Sequence, residues 1–148
     1  MDASELLSGD RLFVVDTSAW WRMLRLPGEL AAFVREAVRG DRVLVTPVVR
    51  MEILYSARTS AEYVALDTQL STLRMLRNDR AAADAAMAAL SELAERSDGY
   101  HRVPVTDALI AAAAAAAEQG GLAVLHRDAH FDRLAEVLAF ESVALPVP

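Results

Sequence analysis

Short apolar runs alternate along this chain with longer stretches in which apolar residues recur every three or four positions. Residues 11–16 (RLFVVD) are β-branched and apolar and end on an acid, which predicts a buried strand with a carboxylate at its exit. Over 26–38 the pattern becomes helical: Pro27 suits an early helical position, Leu30, Phe33, Val34 and Val38 share a face, and Gly40 closes the segment. Residues 42–45 predict a second strand, and Thr46-Pro47 is a cap and first-turn pair for a helix reaching about Ser56. Two more helices are expected over 60–73 and 80–96, separated by the polar turn Arg77-Asn78-Asp79. Residues 104–118 (PVTDALIAAAAAAAE) form an alanine-rich helix ended by Gly120-Gly121, followed by a strand at 122–125, a short helix at 131–138 and a last strand at 142–145.

This alternation predicts an α/β fold with a mainly parallel central sheet and helices on both faces. A chain of 148 residues, 54% hydrophobic, fits one domain spanning 1–148 with its core over about 11–146. In such folds ligands sit beyond the C-terminal ends of the strands. Cysteine is absent, which excludes disulfides, thiolate nucleophiles and cysteine-held zinc. The N-terminal MDASELLSGD is polar and acidic, unlike a secretion signal, and the longest apolar run, 108–117, is about half of a membrane span. The expectation is a soluble cytoplasmic protein without membrane contact.

Four acids stand where chemistry is expected. Asp16 and Asp128 follow strands at the edge where an open α/β sheet builds its site, although a lone aspartate there also suits a turn. Glu52 has Val48, Val49, Tyr55 and Ser56 as its helical neighbours, so no base on its own helix pairs with it. Asp107 is similarly surrounded by Val103, Pro104, Ile110 and Ala111, although a first-turn acid is also favoured by the helix dipole. A carboxylate on an apolar face costs several kcal/mol unless a cation or donor meets it. Oxygen-only ligands suit Mg2+ or Mn2+, and such ions activate water for in-line attack on phosphorus. The four acids taken together therefore point to phosphodiester hydrolysis. The net charge of −6 runs against a protein that coats nucleic acid, but bound divalent ions would offset clustered acids at the point where phosphate binds.

Other residues are less specific. His126, Asp128 and His130 alternate, so an extended segment would present all three on one side to zinc or iron; a helix beginning near His130 opposes this, and surface or RNA-contacting imidazoles are the simpler expectation. Trp20 and Trp21 read as core or packing residues. Arg22, Arg25, Arg50, Arg127 and Arg133 lie near the acids in sequence and could meet phosphates. Every basic side chain is arginine, a composition that a GC-rich coding sequence explains.

With these residues placed, the chain resembles the PIN-domain family, and within it the VapC toxins of bacterial VapBC toxin-antitoxin systems. VVDTSAWW resembles the opening strand with its metal-binding aspartate, Asp16, and TPVVRMEILYSA the helix carrying Glu52. PVTDALIAAAA resembles the helix with the third acid, Asp107, and VLHRDAHFDRLAEV the closing motif with the fourth, Asp128. Where family members often carry a second aspartate two places after the fourth acid, this chain has His130, with Asp132 two residues later. The resemblance implies a Mg2+- or Mn2+-dependent endoribonuclease that is a homodimer, cuts RNA such as tRNA or ribosomal RNA, and is silenced by a cognate VapB-type antitoxin covering the site.

Rival readings fare worse. A haloacid-dehalogenase-like phosphatase needs an acid where Ser18 stands, a phospho-receiver domain needs a lysine, and no glycine-rich loop ending in lysine serves a nucleotide. The remaining alternative is a catalytically inactive PIN-like module acting through a protein partner.

Overall fold

The computed structural model describes residues 1–146. Its first element, helix α1 (Ala3–Ser8), lies in the N-terminal segment whose polar and acidic character gave no helical expectation. Asp2 caps it by accepting from the Glu5 N–H at 2.8 Å, and Ala3, Leu6 and Leu7 are buried. The Arg42 guanidinium donates to the carbonyls of Leu6, Leu7 and Arg11 and so ties this helix to the sheet. The core therefore begins at Ala3, not near residue 11.

Strand β1 (Phe13–Val15) runs directly into α2 (Thr17–Met23), a short helix absent from the sequence expectation, which buries Ala19, Trp20 and Met23. Next come α3 (Gly28–Arg39), β2 (Val43–Val45), α4 (Pro47–Tyr55) and α5 (Ser60–Ser71). Thr46 caps α4 as expected, accepting from the Val49 N–H, with Pro47 in the first turn. Pro27 and Pro104, by contrast, occupy cap positions just outside their helices. A two-residue strand, β3 (Arg74–Met75), was unforeseen, because two exposed residues are too few to show a strand pattern. It is followed by α6 (Arg80–Arg96), α7 (Val105–Ala115), β4 (Ala123–His126), α8 (His130–Leu134) and β5 (Glu141–Ala144).

All five strands are parallel, in the order β3-β2-β1-β4-β5. Helices connect successive strands and pack against the sheet and one another, giving the expected helix-covered parallel sheet. β1, β2 and β4 are buried on both sides, as the unbroken apolar runs implied. Helix α7 packs on α6, whose Ala82, Ala86, Ala89 and Leu93 recur at helical spacing on one buried face. Three of these four are alanines, which leaves little side-chain bulk between the two helices. The chain then turns through Gly120-Gly121, where a Cβ on Gly121 would lie 2.0 Å from the Ala139 carbonyl oxygen.

The topology changes direction at β1: one crossover leaves it toward β2, while the chain returns on its other side as β4. Ligand sites of open α/β sheets form at such a switch point, beyond the strand ends.

Candidate metal centre

Pairing of Val15 with Leu125 sets the exits of β1 and β4 side by side, and the Asp16 N–H donates to the Leu125 carbonyl at 2.9 Å. Asp16 is 3% exposed and caps α2: its Oδ2 accepts from the Ser18 N–H at 3.0 Å and from Ser18 Oγ at 2.5 Å. Ser18 Oγ in turn accepts the Arg127 N–H at 2.9 Å, so one hydroxyl ties the first acid to the turn that carries the fourth. The neighbouring Thr17 hydroxyl donates to Glu52 Oε1 at 3.0 Å, bringing α4 to the same edge. Burial pushes the Glu52 carboxyl above its usual range; the Thr17 hydrogen bond opposes this, and the charge of Asp16 adds to it.

Asp107 lies in the first turn of α7, buried at 7% exposure. Its Oδ2 has no hydrogen-bond partner. Burial, followed by repulsion from Asp16 and Asp128, contact with the Asp128 carboxyl and repulsion from Glu52, pushes its pKa up to about 8. Asp128 resides in the turn between β4 and α8, where its Oδ1 accepts the His130 N–H at 3.0 Å. Burial raises this carboxyl, but the His130 N–H, the His130 imidazole and the Asp107 carboxyl together outweigh it, and its pKa falls below the ordinary value.

The structure thus brings Asp16, Glu52, Asp107 and Asp128 to one edge, each within reach of another's charge or linked through Thr17 and Ser18. Among the described residues no arginine pairs with any of them. Arg50 is taken by Asp67 at 2.6 Å, and Arg133 lies over the Tyr100 ring at 4.4 Å, so these two are structural. Arg22 and Arg25 are exposed and Arg127 half-buried, with none of the ion pairs among the described residues involving them. A cleft of about 490 Å³, lined by Thr17, Val48, Met51, Glu52, Tyr55 and Thr106, opens beside Glu52.

The alternating His126, Asp128 and His130 do not face one way. His126 is 1% exposed and stacks on Phe131, with ring centroids 4.9 Å apart. Its Nδ1 accepts the Asp128 N–H at 3.1 Å, which assigns the proton to Nε2, 2.6 Å from Ser142 Oγ. Ser142 passes the chain on to Asp132 at 2.7 Å. His126 is therefore an internal brace of the Asp128 turn, neither a surface imidazole nor part of a zinc or iron site. Burial lowers its pKa against the pull of Asp132, Asp16 and Asp128. His130 instead turns toward the acids, and Asp107, Asp128 and His130 each offer a ligand atom within 4.8 Å of the others. The paired hydroxyls of Thr17 and Ser18 are the other contributors, and their adjacency to Asp16 was their only sequence signal.

A buried, unpartnered carboxylate oxygen among further acids, with no arginine near, fits a hard divalent cation, and the oxygen-rich donor set suits Mg2+ or Mn2+.

Known proteins similar to this chain share its fold. The family model for the PIN domain matches residues 13–137. Ribonuclease VapC18 of Mycobacterium tuberculosis is 36% identical over 127 residues, 85% of this chain and 89% of the relative. Ribonuclease VapC11 of the same species is 30% identical, covering 90% of this chain and 98% of the relative. Among solved structures, VapBC-5 of Mycobacterium tuberculosis, a member of the VapBC family of toxin-antitoxin systems, aligns with a TM-score of 0.63 at 27% identity, over 90% of this chain and 98% of that one. DNA-bound VapBC from Salmonella typhimurium aligns with a TM-score of 0.70 over 90% of this chain and 98% of that one, a likeness of fold alone at 19% identity.

Proposed function

The chain belongs to the PIN-domain family, and from that premise we propose that it is a VapC-type toxin, an endoribonuclease that hydrolyses RNA phosphodiester bonds with Mg2+ or Mn2+. The VapC ribonucleases among its relatives support the activity and the VapBC complexes support a VapB-type antitoxin as partner. The observation that carries the metal dependence is the orphaned Oδ2 of Asp107.

In this reading Asp16, Glu52, Asp107 and Asp128 hold the cation. When bound, it supplies positive charge for the phosphate and acidity for the attacking water. Thr17 and Ser18 orient Glu52 and Asp16, as supporting hydrogen bonds do for metal-holding carboxylates. Glu52 borders both the acids and the cleft, which gives an RNA strand a way in. Arg22, Arg25 and Arg127 are available to phosphates. Met51 and Tyr55, 63% and 91% exposed beside that cleft, form an apolar rim that fits a protein partner, the antitoxin or the second copy of a homodimer. Transfer RNA or ribosomal RNA is the proposed target, carried by the resemblance. No helix of the described residues is long and apolar enough to cross a membrane, and a cytoplasmic location goes with an RNA substrate.

Induced expression with RNA end-mapping tests the proposal. The wild type should create discrete new 5′ ends, and Asp107→Asn none; equal cleavage by both would overturn the assignment of Asp107. If the purified wild type cuts no RNA with either ion yet binds its antitoxin, the chain is the inactive PIN-like module instead.

A further inference from the structure

We propose that His130 is a nitrogen ligand of the cation held by Asp107 and Asp128, which makes this half of the centre a mixed nitrogen-oxygen site favouring manganese over magnesium. The inference rests on the metal-dependent reading above and deepens it.

His130 Nδ1 lies 2.7 Å from Asp128 Oδ1 and 3.6 Å from Asp107 Oδ2. At 2.7 Å an imidazolium aimed at Asp128 would form a hydrogen bond, and at 3.6 Å Asp107 is beyond one, yet neither His130 Nδ1 nor Asp107 Oδ2 has a partner in hydrogen-bonding geometry. Three electron-pair donors from two packed helices and the turn between β4 and α8 therefore converge on one point, with the most buried of them, Asp107, unsatisfied. A cation at that point engages both orphaned atoms at once, which a proton between two of them does not.

The backbone that carries the ring is also fixed. His130 opens α8, and its backbone N–H is fixed on Asp128 Oδ1 at 3.0 Å. The other nearby candidates are occupied. His126 uses both ring nitrogens, on the Asp128 N–H and on Ser142, while Asp132 accepts from Ser142. Imidazole is a poor ligand for Mg2+, which demands oxygen, whereas first-row transition ions accept it readily. The Asp16 and Glu52 carboxylates remain an oxygen-only pair, so the two halves of the centre differ in preference.

The test is Mn2+ titration of the metal-free full-length protein, followed by pulsed electron paramagnetic resonance. The wild type should show nitrogen-14 coupled directly to bound Mn2+, and His130→Asp and His130→Ala should bind Mn2+ without it. Competition with Mg2+ should show the preference for Mn2+ falling about tenfold in His130→Asp. Coupling that is absent from the wild type, or that persists in His130→Asp, overturns the proposal. The wild-type spectrum decides even if a variant folds poorly. Mn2+ binding that is lost in Asp128→Asn but shows no nitrogen coupling in the wild type removes His130 and leaves the metal reading standing. A wild type that binds no Mn2+ at all overturns both.

Discussion

The two halves of the acidic centre are built from similar residues but are treated differently by the fold. Around Asp16 and Glu52 the chain supplies its own donors, two hydroxyls and a backbone N–H. Around Asp107 it supplies none for Oδ2, and the nearest polar atoms beyond its own turn include those of Asp128 and His130. A buried carboxylate left unpaired costs the folded state free energy. The first half is thus a scaffold that stands by itself, and the second is incomplete until a cation arrives.

The difference sets an order of expected effects. Asp107→Asn should cause the largest loss, beyond the roughly 10–100-fold typical of residues that only orient metal ligands, measured as cleavage rate in saturating Mn2+. Ser18→Ala should fall within that 10–100-fold range, because it removes one of the two donors to Asp16 Oδ2 and releases the Arg127 turn while leaving every carboxylate in place. An unchanged rate would mean that the Ser18 bridge does not position Asp16.

Stability should move the opposite way. In metal-free protein the Asp107 carboxyl keeps its proton up to about pH 8, whereas the unfolded chain loses it near the ordinary aspartate value of 3.8. Between those limits the folded state binds the extra proton, so Asp107 makes stability fall as pH rises. Asp107→Asn should remove this decline and raise the melting temperature of EDTA-treated protein at pH 8 by about 3 °C, the shift expected for roughly 1 kcal/mol. Thermal scans of both proteins at pH 5 and pH 8 measure it, and equal slopes with pH would show that Asp107 ionises freely.

Much of this contrast is legible in the amino-acid sequence. Glu52 and Asp107 stand out because their helical neighbours are apolar, and Asp16 and Asp128 because they follow buried strands. What stays hidden depends on contacts distant in sequence. Helix α1 is held by Arg42, whose role as a clamp is invisible in an arginine-rich composition. Helix α2 is too short for its periodicity to show, and its cap, Asp16, is also the first acid of the site. β3 is a two-residue edge recognised only through its pairing with β2. The split between His126 and His130 is illegible for a different reason. β4 is buried on both faces, so alternation does not separate inside from outside, and His130, at the start of α8, lies beside Asp107 and Asp128.

Whether the fold leaves Asp107 unsatisfied for a divalent cation is read from the melting temperature of EDTA-treated protein as Mn2+ is added back. At a hundredfold excess over the dissociation constant the wild type should gain about 2.7 kcal/mol, a rise of roughly 5–10 °C, and Asp107→Asn should gain little. A wild type whose melting temperature ignores the ion, or a variant that responds as strongly as the wild type, would mean that Asp107 holds no cation.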